Sequence, residues 1–238
     1  MKLGIMQPYF CPYIGYFQLI AAVDVFVVYD NVKYTKKGWI NRNRILRDGK
    51  DSVFSIPLRK DSDFTSISKR QLSGEFRRTK LLNQFTEAYR KAPYFASVYP
   101  LLEQIIAFDD ANLFGYIRYS LHALCEHLDI HTEIKIASDI DIDHSLKSQD
   151  KVLAICEALH AHTYVNSIGG WELYRAEDFR ENNLALQFIR PKLCSYPQLG
   201  FPHVPGLSII DVLMFNSVDK SKQLLTEFEW VEGGISSV

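Results

Sequence analysis

Two short apolar, β-branched runs flank a helical stretch near the start of the chain. Residues 2–6 (KLGIM) predict a buried strand, Tyr16–Val23 (YFQLIAAV) a helix, and residues 24–30 (DVFVVYD) a second strand ending on a carboxylate. That order favours a parallel strand–helix–strand unit. Residues 39–47 and 52–59 predict a hairpin, joined by RDGKD with its Asp48-Gly49 turn signal. From Gly74 to Leu128 the periodicity is helical, with helices over 75–92, 94–108 and 110–128. Strands then return at 132–137, 162–167 and 184–189, with a helix over 148–159 and a short one from about Trp171. After the Pro- and Gly-rich loop SYPQLGFPHVPG, the segments SIIDVLMFN and KSKQLLTEF predict helices. The expectation is an α/β fold with a mostly parallel open sheet and a helical insertion: residues 1–73 and 131–238 form the α/β part, and 74–130 a helical subdomain.

Composition narrows the class. With 27 basic and 28 acidic side chains and 47% hydrophobic residues, the 238-residue chain is neither disordered nor a globally basic nucleic-acid binder. The N-terminus lacks the apolar core of a secretory signal, and the apolar stretch 17–28 is broken by Gln18 and Asp24. A cytoplasmic protein without a membrane span is expected. Cys11, Cys125, Cys156 and Cys194 form no CxxC pair and read as reduced structural thiols.

Four segments carry candidate chemistry. QPYFCPYIGYF (7–17) sets aromatic rings and prolines in a loop beyond a first strand, where open α/β sheets bind ligands. Its Tyr13-Ile14-Gly15-Tyr16 spacing resembles the HxGH signature of nucleotidylyltransferases and class I tRNA synthetases, with tyrosines in place of both histidines. A diverged HUP or nucleotidylyltransferase-like Rossmannoid is therefore one form of the expected sheet. YDNVKYTKKGWINRNRI (29–45) interleaves Lys33, Lys36, Lys37, Arg42 and Arg44 with Tyr34 and Trp39, a combination suited to a phosphate on a base or sugar. Alternation from Trp39 onward puts Asn41 and Asn43 on its face and Arg42 and Arg44 on the face of Ile40. TYVNSIGGWELY (163–174) brings Asn166, Gly169 and Gly170 to a strand-to-helix junction where backbone can approach a ligand. Upstream of it, Ser148 is the expected N-cap of the 148–159 helix.

In PHVPGLSIIDVLMFN (202–216), Ser208 and Asp211 have capping-box spacing, and His203 between two prolines can be presented to a ligand. His122 and His127, at i and i+5 on one helix, are not a metal pair; His160 and His162 alternate at a helix end, where zinc is disfavoured, and DIDID (139–143) lacks the glycine and glutamate of a calcium loop. No metal site is expected. A serine-nucleophile elbow and HExxH are likewise missing.

The segments MQPYFCPYIGYFQLI, DVFVVYDNVKYTKKGWINRNRI, KSQDKVLAICEAL, VNSIGGWELY and PGLSIIDVL together resemble the WbqC-like family of bacterial proteins, from Met6 to about Asn216. The resemblance implies a role in O-antigen or other surface-polysaccharide synthesis, or in making modified small molecules, by acyl or aminoacyl transfer to an amino sugar or similar amine. It supplies no catalytic residues. The donor would be an acyl-CoA or aminoacyl-tRNA and the acceptor a sugar nucleotide, with no resident cofactor required. On the residues alone, Asp30 and His203 are the candidate proton acceptors. Lys36, Lys37, Arg42 and Arg44 would meet the diphosphate, and Tyr34 or Trp39 would stack on base or sugar. Gln7, Asn41 and the Gly169-Gly170 amides would polarise the carbonyl, with Tyr9, Tyr13 and Asn166 beside them. Two other readings stand beside this one: an HxGH-derived enzyme that binds a nucleotide or tRNA, and a non-catalytic binding or scaffold protein.

Overall fold

A computed structural model describes residues 1–233. Strands β1 (Lys2–Met6), β2 (Val25–Val28), β5 (Glu133–Ile136), β6 (Thr163–Ser167), β7 (Ala185–Pro191) and β8 (Phe228–Glu232) form one sheet in the order β5-β2-β1-β6-β7-β8. All neighbours are parallel except β7 and β8. β3 (Arg42–Arg47) and β4 (Lys50–Ser55) form a separate antiparallel hairpin. Its turn residues Asp48 and Gly49 have φ of 50° and 75°, the left-handed pair that a two-residue hairpin loop requires. The helices are α1 (Ile14–Ala21), α2 (Arg78–Tyr89), α3 (Phe95–Ala107), α4 (Leu113–His127), α5 (Ser148–Ala158), α6 (Ala176–Glu181), α7 (Ile209–Phe215) and α8 (Val218–Leu224).

Successive residues of a strand point to opposite faces, and two cores follow. Phe26, Val28, Val165 and Ile189 face α1, α7 and the helices α2–α4. Leu3, Ile5, Val25, Val27, Tyr164 and Phe188 face α5 and α6. The sheet is therefore covered on both sides, which is why its strands read as continuous apolar runs. Between β2 and β5 the chain leaves the sheet to make the hairpin and α2–α4, and those elements join the first core.

The structure differs from the sequence expectation at three elements. The expected helix over 220–228 ends at Leu224, and Phe228–Glu232 is the edge strand β8, with Trp230 opposite Ile189. The helix expected from Trp171 is a 3-10 turn over Ile168–Leu173 followed by α6. Ser148 is the first residue of α5, at a φ of 50°, and its side chain caps nothing; Lys147 holds the cap position.

Candidate functional site

Strand order reverses between β1 and β6: the β1-α1-β2 unit winds one way and the β6-α6-β7 unit the other. Loops leaving the carboxyl ends of those two strands diverge, and a crevice opens between them. A cavity of about 750 Å³ lies there. Met6 lines it from the end of β1, Gln7, Tyr9 and Tyr13 from the loop that follows, and Tyr29 from just beyond β2. Ser148 and Gln149 enter from α5, while Asn166, Ser167, Gly169, Gly170 and Tyr174 come from the end of β6 onward. Trp39 lines it from the strap before β3. The volume is that of an ordinary small-molecule site.

The loop after β1 is built to hold its shape. Phe10 N donates to Ile40 O at 2.9 Å, and Ile209 N to Pro12 O at 2.7 Å. Cys11 adopts a φ of 43°, and its carbonyl accepts both Asn43 Nδ2 at 2.8 Å and Ser208 Oγ at 2.7 Å. Tyr16 Oη donates to Gln7 O at 3.0 Å. Gly15 serves Tyr13: a β-carbon there would stand 2.4 Å from the Tyr13 ring. The glycine of the YIGY loop thus makes room for the chain's own phenol over the first turn of α1. Gly170 does the same for Asn166, whose Nδ2 would lie 2.7 Å from an added β-carbon, while Gly169 borders open space. Asn166 Oδ1 accepts Ser167 N at 2.7 Å.

Gln149 is committed to structure, donating to Asp178 Oδ2 at 2.6 Å and accepting Arg175 N at 2.9 Å. Burial raises the phenols of Tyr9, Tyr13 and Tyr174, and lifts Tyr29 to about 12, with Tyr174 beside it adding to the effect. They remain neutral donors at any physiological pH. Among the described residues lining this cleft there is no Asp, Glu, His, Lys, Arg or Cys. The arrangement offers ring faces, amides and phenolic O–H groups, and holds no group that titrates near neutrality.

Charge begins at the rim. A smaller cavity of about 230 Å³ shares Tyr9, Tyr13 and Trp39 with the cleft and adds Asn43 and Arg44. The guanidinium carbons of Arg42 and Arg44 lie 5.4 and 5.6 Å from the centre of the Trp39 ring. This corrects the expected alternation, because β3 starts only at Arg42 and the residues before it form turns. Trp39 therefore lies with the two arginines, and Asn43 turns inward with Ile45. Arg44 also binds Asp51 at 3.2 Å and Gly206 O at 3.1 Å, whereas Arg42 is held by the carbonyls of Gly38 and Lys37.

The remaining candidates lie elsewhere. Tyr34, Lys36 and Asn41 line a separate cavity, and Lys37 is exposed in a turn. Asp30 is buried, its Oδ1 accepting Ser138 N at 3.0 Å, and does not line the cleft. His203 packs edge-on against Tyr196, 4.8 Å between ring centres, beside a small void that the cleft does not share. Asp211 also departs from expectation. Ser208 caps α7 by accepting Ile210 N, but the Asp211 carboxylate accepts Tyr89 Oη, Tyr196 Oη and Gln198 Nε2 at 2.9, 2.7 and 2.6 Å. The sequence pattern does not assign Tyr174, Ser148 or Gln149 to a site, and it sets Tyr29 with the basic segment 29–45 rather than with the cleft loop. The end of an apolar strand was the available signal for Tyr29, while Tyr174 reaches the cleft only because a 3-10 turn intervenes.

Fold and site together define a doubly wound, Rossmann-like α/β protein with an uncharged, aromatic cleft at its topological switch point and a basic rim. The chain belongs to the WbqC-like protein family, whose model matches residues 7–223, from the first residue of the cleft loop into the last turn of α8. It is 28% identical over 218 residues to the uncharacterized protein Rv1507c of Mycobacterium tuberculosis, covering 90% of this chain and 93% of that relative. No solved structure matches it. No helix among the described residues is long and apolar enough to cross a membrane.

Proposed function

We propose that this protein is an enzyme of bacterial surface-polysaccharide or related biosynthesis, transferring an acyl or aminoacyl group to the amine of a nucleotide-linked amino sugar. The observation that carries the reading is the division of the groove into a neutral aromatic cleft and an arginine-bearing rim. A glycosyl ring suits the cleft, since its C–H faces pack on Tyr9, Tyr13 or Trp39 and its hydroxyls meet Gln7 and Asn166. A diphosphate would be costly to desolvate there and belongs at the rim with Arg44. The biosynthetic setting rests on the association of WbqC-like proteins with surface-polysaccharide gene clusters.

In the transfer, the amine attacks the acyl carbonyl, the carbonyl's bond to thiol sulfur or ribose oxygen breaks, and the amine's proton passes to the departing group. Phenolic O–H groups and the Gly169-Gly170 amides would stabilise the oxyanion. No proton transfer is assigned to Asp30 or His203, which lie off the lining. The uncharged lining also favours a second reading, a sugar-nucleotide binding protein without turnover.

A thermal-shift screen of nucleotide-linked amino sugars, followed by mass spectrometry with acyl-CoA or aminoacyl-tRNA, tests both. A ligand at 100 times its Kd adds about 2.7 kcal/mol to stability. Asn166→Ala should weaken binding about tenfold. Stabilisation without product selects the binding protein, and neither stabilisation nor product removes both readings.

A further inference from the structure

The cavity that takes Tyr34, Lys36 and Asn41 has a volume of about 550 Å³ and lies at the exit of β4. Arg70 is 3% exposed and lies over the Tyr34 ring at 4.5 Å. The ring is fixed in turn: Tyr34 Oη donates to Asn41 Oδ1 at 2.8 Å, and Asn41 Nδ2 to Ile56 O at 2.7 Å. The backbone around Arg70 is tied as firmly, with Arg59 N on Gln71 O and Leu113 N on Arg70 O, at 3.0 and 2.9 Å. Yet among the described residues the guanidinium meets a single acceptor, Ser62 O, 3.0 Å from Nη2, and its buried Nε has none. A buried guanidinium nitrogen without an acceptor is costly, and an acceptor arriving from outside would remove that cost.

The surrounding charge has the matching sign. Lys36, Arg59, Lys60 and Arg70 line the cavity against one carboxylate, Asp61. Asp61 accepts Ser62 N at 2.6 Å, and that bond holds its carboxyl below the ordinary range. Lys36 is already paired with Asp63 at 2.6 Å, whereas Arg59 and Lys60 form no ion pair among the described residues. We infer that this cavity is a second binding site, for a phosphoryl group of a small molecule, with Arg70 as its buried anchor and Arg59 and Lys60 at its mouth. The site is separate from the cleft: Trp39 and Asn41, on one strap, line different cavities. The inference does not depend on the sugar-nucleotide reading.

Isothermal titration of the full chain with inorganic pyrophosphate at about 50 mM salt, where surface charge is only moderately screened, tests it. One site per chain that depends on Arg59 and Lys60 is expected. The double variant Arg59→Gln/Lys60→Gln should bind at least about tenfold more weakly with an unchanged thermal midpoint, because both side chains are exposed. Arg44→Gln, at the rim where the diphosphate of a nucleotide-linked sugar is proposed to lie, should leave the component that depends on Arg59 and Lys60 unchanged and remove only any separate binding at the rim. Absence of binding overturns the site, as does full retention by the double variant or loss in Arg44→Gln instead. An RNA oligomer that displaces pyrophosphate and binds more tightly would replace the small-molecule site with a polynucleotide surface. Loss in Arg44→Gln alone would place pyrophosphate at the rim and so favour the sugar-nucleotide reading, whereas full retention by the double variant leaves that reading untouched.

Discussion

Gly15 stands in the first turn of α1 because the Tyr13 ring occupies the space a side chain would need. In an open helix, alanine in place of glycine stabilises by about 1 kcal/mol. Here the added methyl meets an aromatic ring at 2.4 Å, and overpacking of that kind costs about 1–3 kcal/mol. The sign should therefore depend on Tyr13. Gly15→Ala is expected to destabilise the wild type and to stabilise a Tyr13→Ala background, as read from urea denaturation of all four proteins. Equal effects in both backgrounds would refute the packing argument. The YIGY spacing was visible in the sequence, but spacing says only that room is made at the helix start. Whether a ligand or the chain's own ring takes that room depends on the Tyr13 rotamer, which no pattern of residue types encodes.

Asp211 connects elements. Its carboxylate joins α7 to Tyr89 of α2 and to Tyr196 and Gln198 of the preceding loop, and all three donors are neutral. Burial pushes the carboxyl above its ordinary range, and the hydrogen bonds only partly oppose this. The folded protein therefore holds this proton more tightly than the unfolded chain does. The resulting stability is complete below the ordinary carboxylate range and is lost as pH rises through the folded value. Asp211→Asn removes that dependence. Wild-type stability minus variant stability should thus be greatest near about pH 4 and decline toward about pH 8 in a urea series. A difference that grows with pH would contradict the assignment.

The same elements show what sequence reveals and what it hides. Apolar runs such as KLGIM and VFVV announce strands because both sheet faces are covered. The Asp211 network was hidden because the S-x-x-D spacing had a sufficient local explanation, while Tyr89 lies 122 positions away. β8 was hidden because five residues beside a helical pattern carry too little periodicity to break from it. The face of Trp39 is set by the turns before Arg42, which carry no two-residue period for a sequence pattern to follow.

At the scale of the molecule, α2–α4 and one face of the sheet share a single core. Phe54 packs on Phe85 at 4.9 Å, Phe10 on Tyr116 at 5.5 Å and Tyr89 on Phe215 at 6.0 Å, so rings on both sides depend on one another. Each buried ring is worth about 1.5–3 kcal/mol, and a domain's whole stability is about 5–15 kcal/mol. Exposing a handful of them exhausts it. Replacing residues 74–130 with a short flexible linker should therefore abolish cooperative unfolding and the near-ultraviolet circular dichroism of the packed rings. A cooperative, well-packed product would instead show that the sheet stands alone.

The reversal of strand order carries a consequence for synthesis. One wall of the cleft follows β1, near the beginning of the chain, and the facing wall follows β6, with the hairpin and five helices encoded between them. A nascent chain leaving the ribosome exposes Tyr9 and Tyr13 long before Asn166 and Tyr174 exist to oppose them. Chain closure over that separation is slow, and the first wall waits unpaired. A product truncated before β6 would lack the second wall and could bind nothing across the cleft. A ligand that spans both walls could be captured only once translation has passed β6.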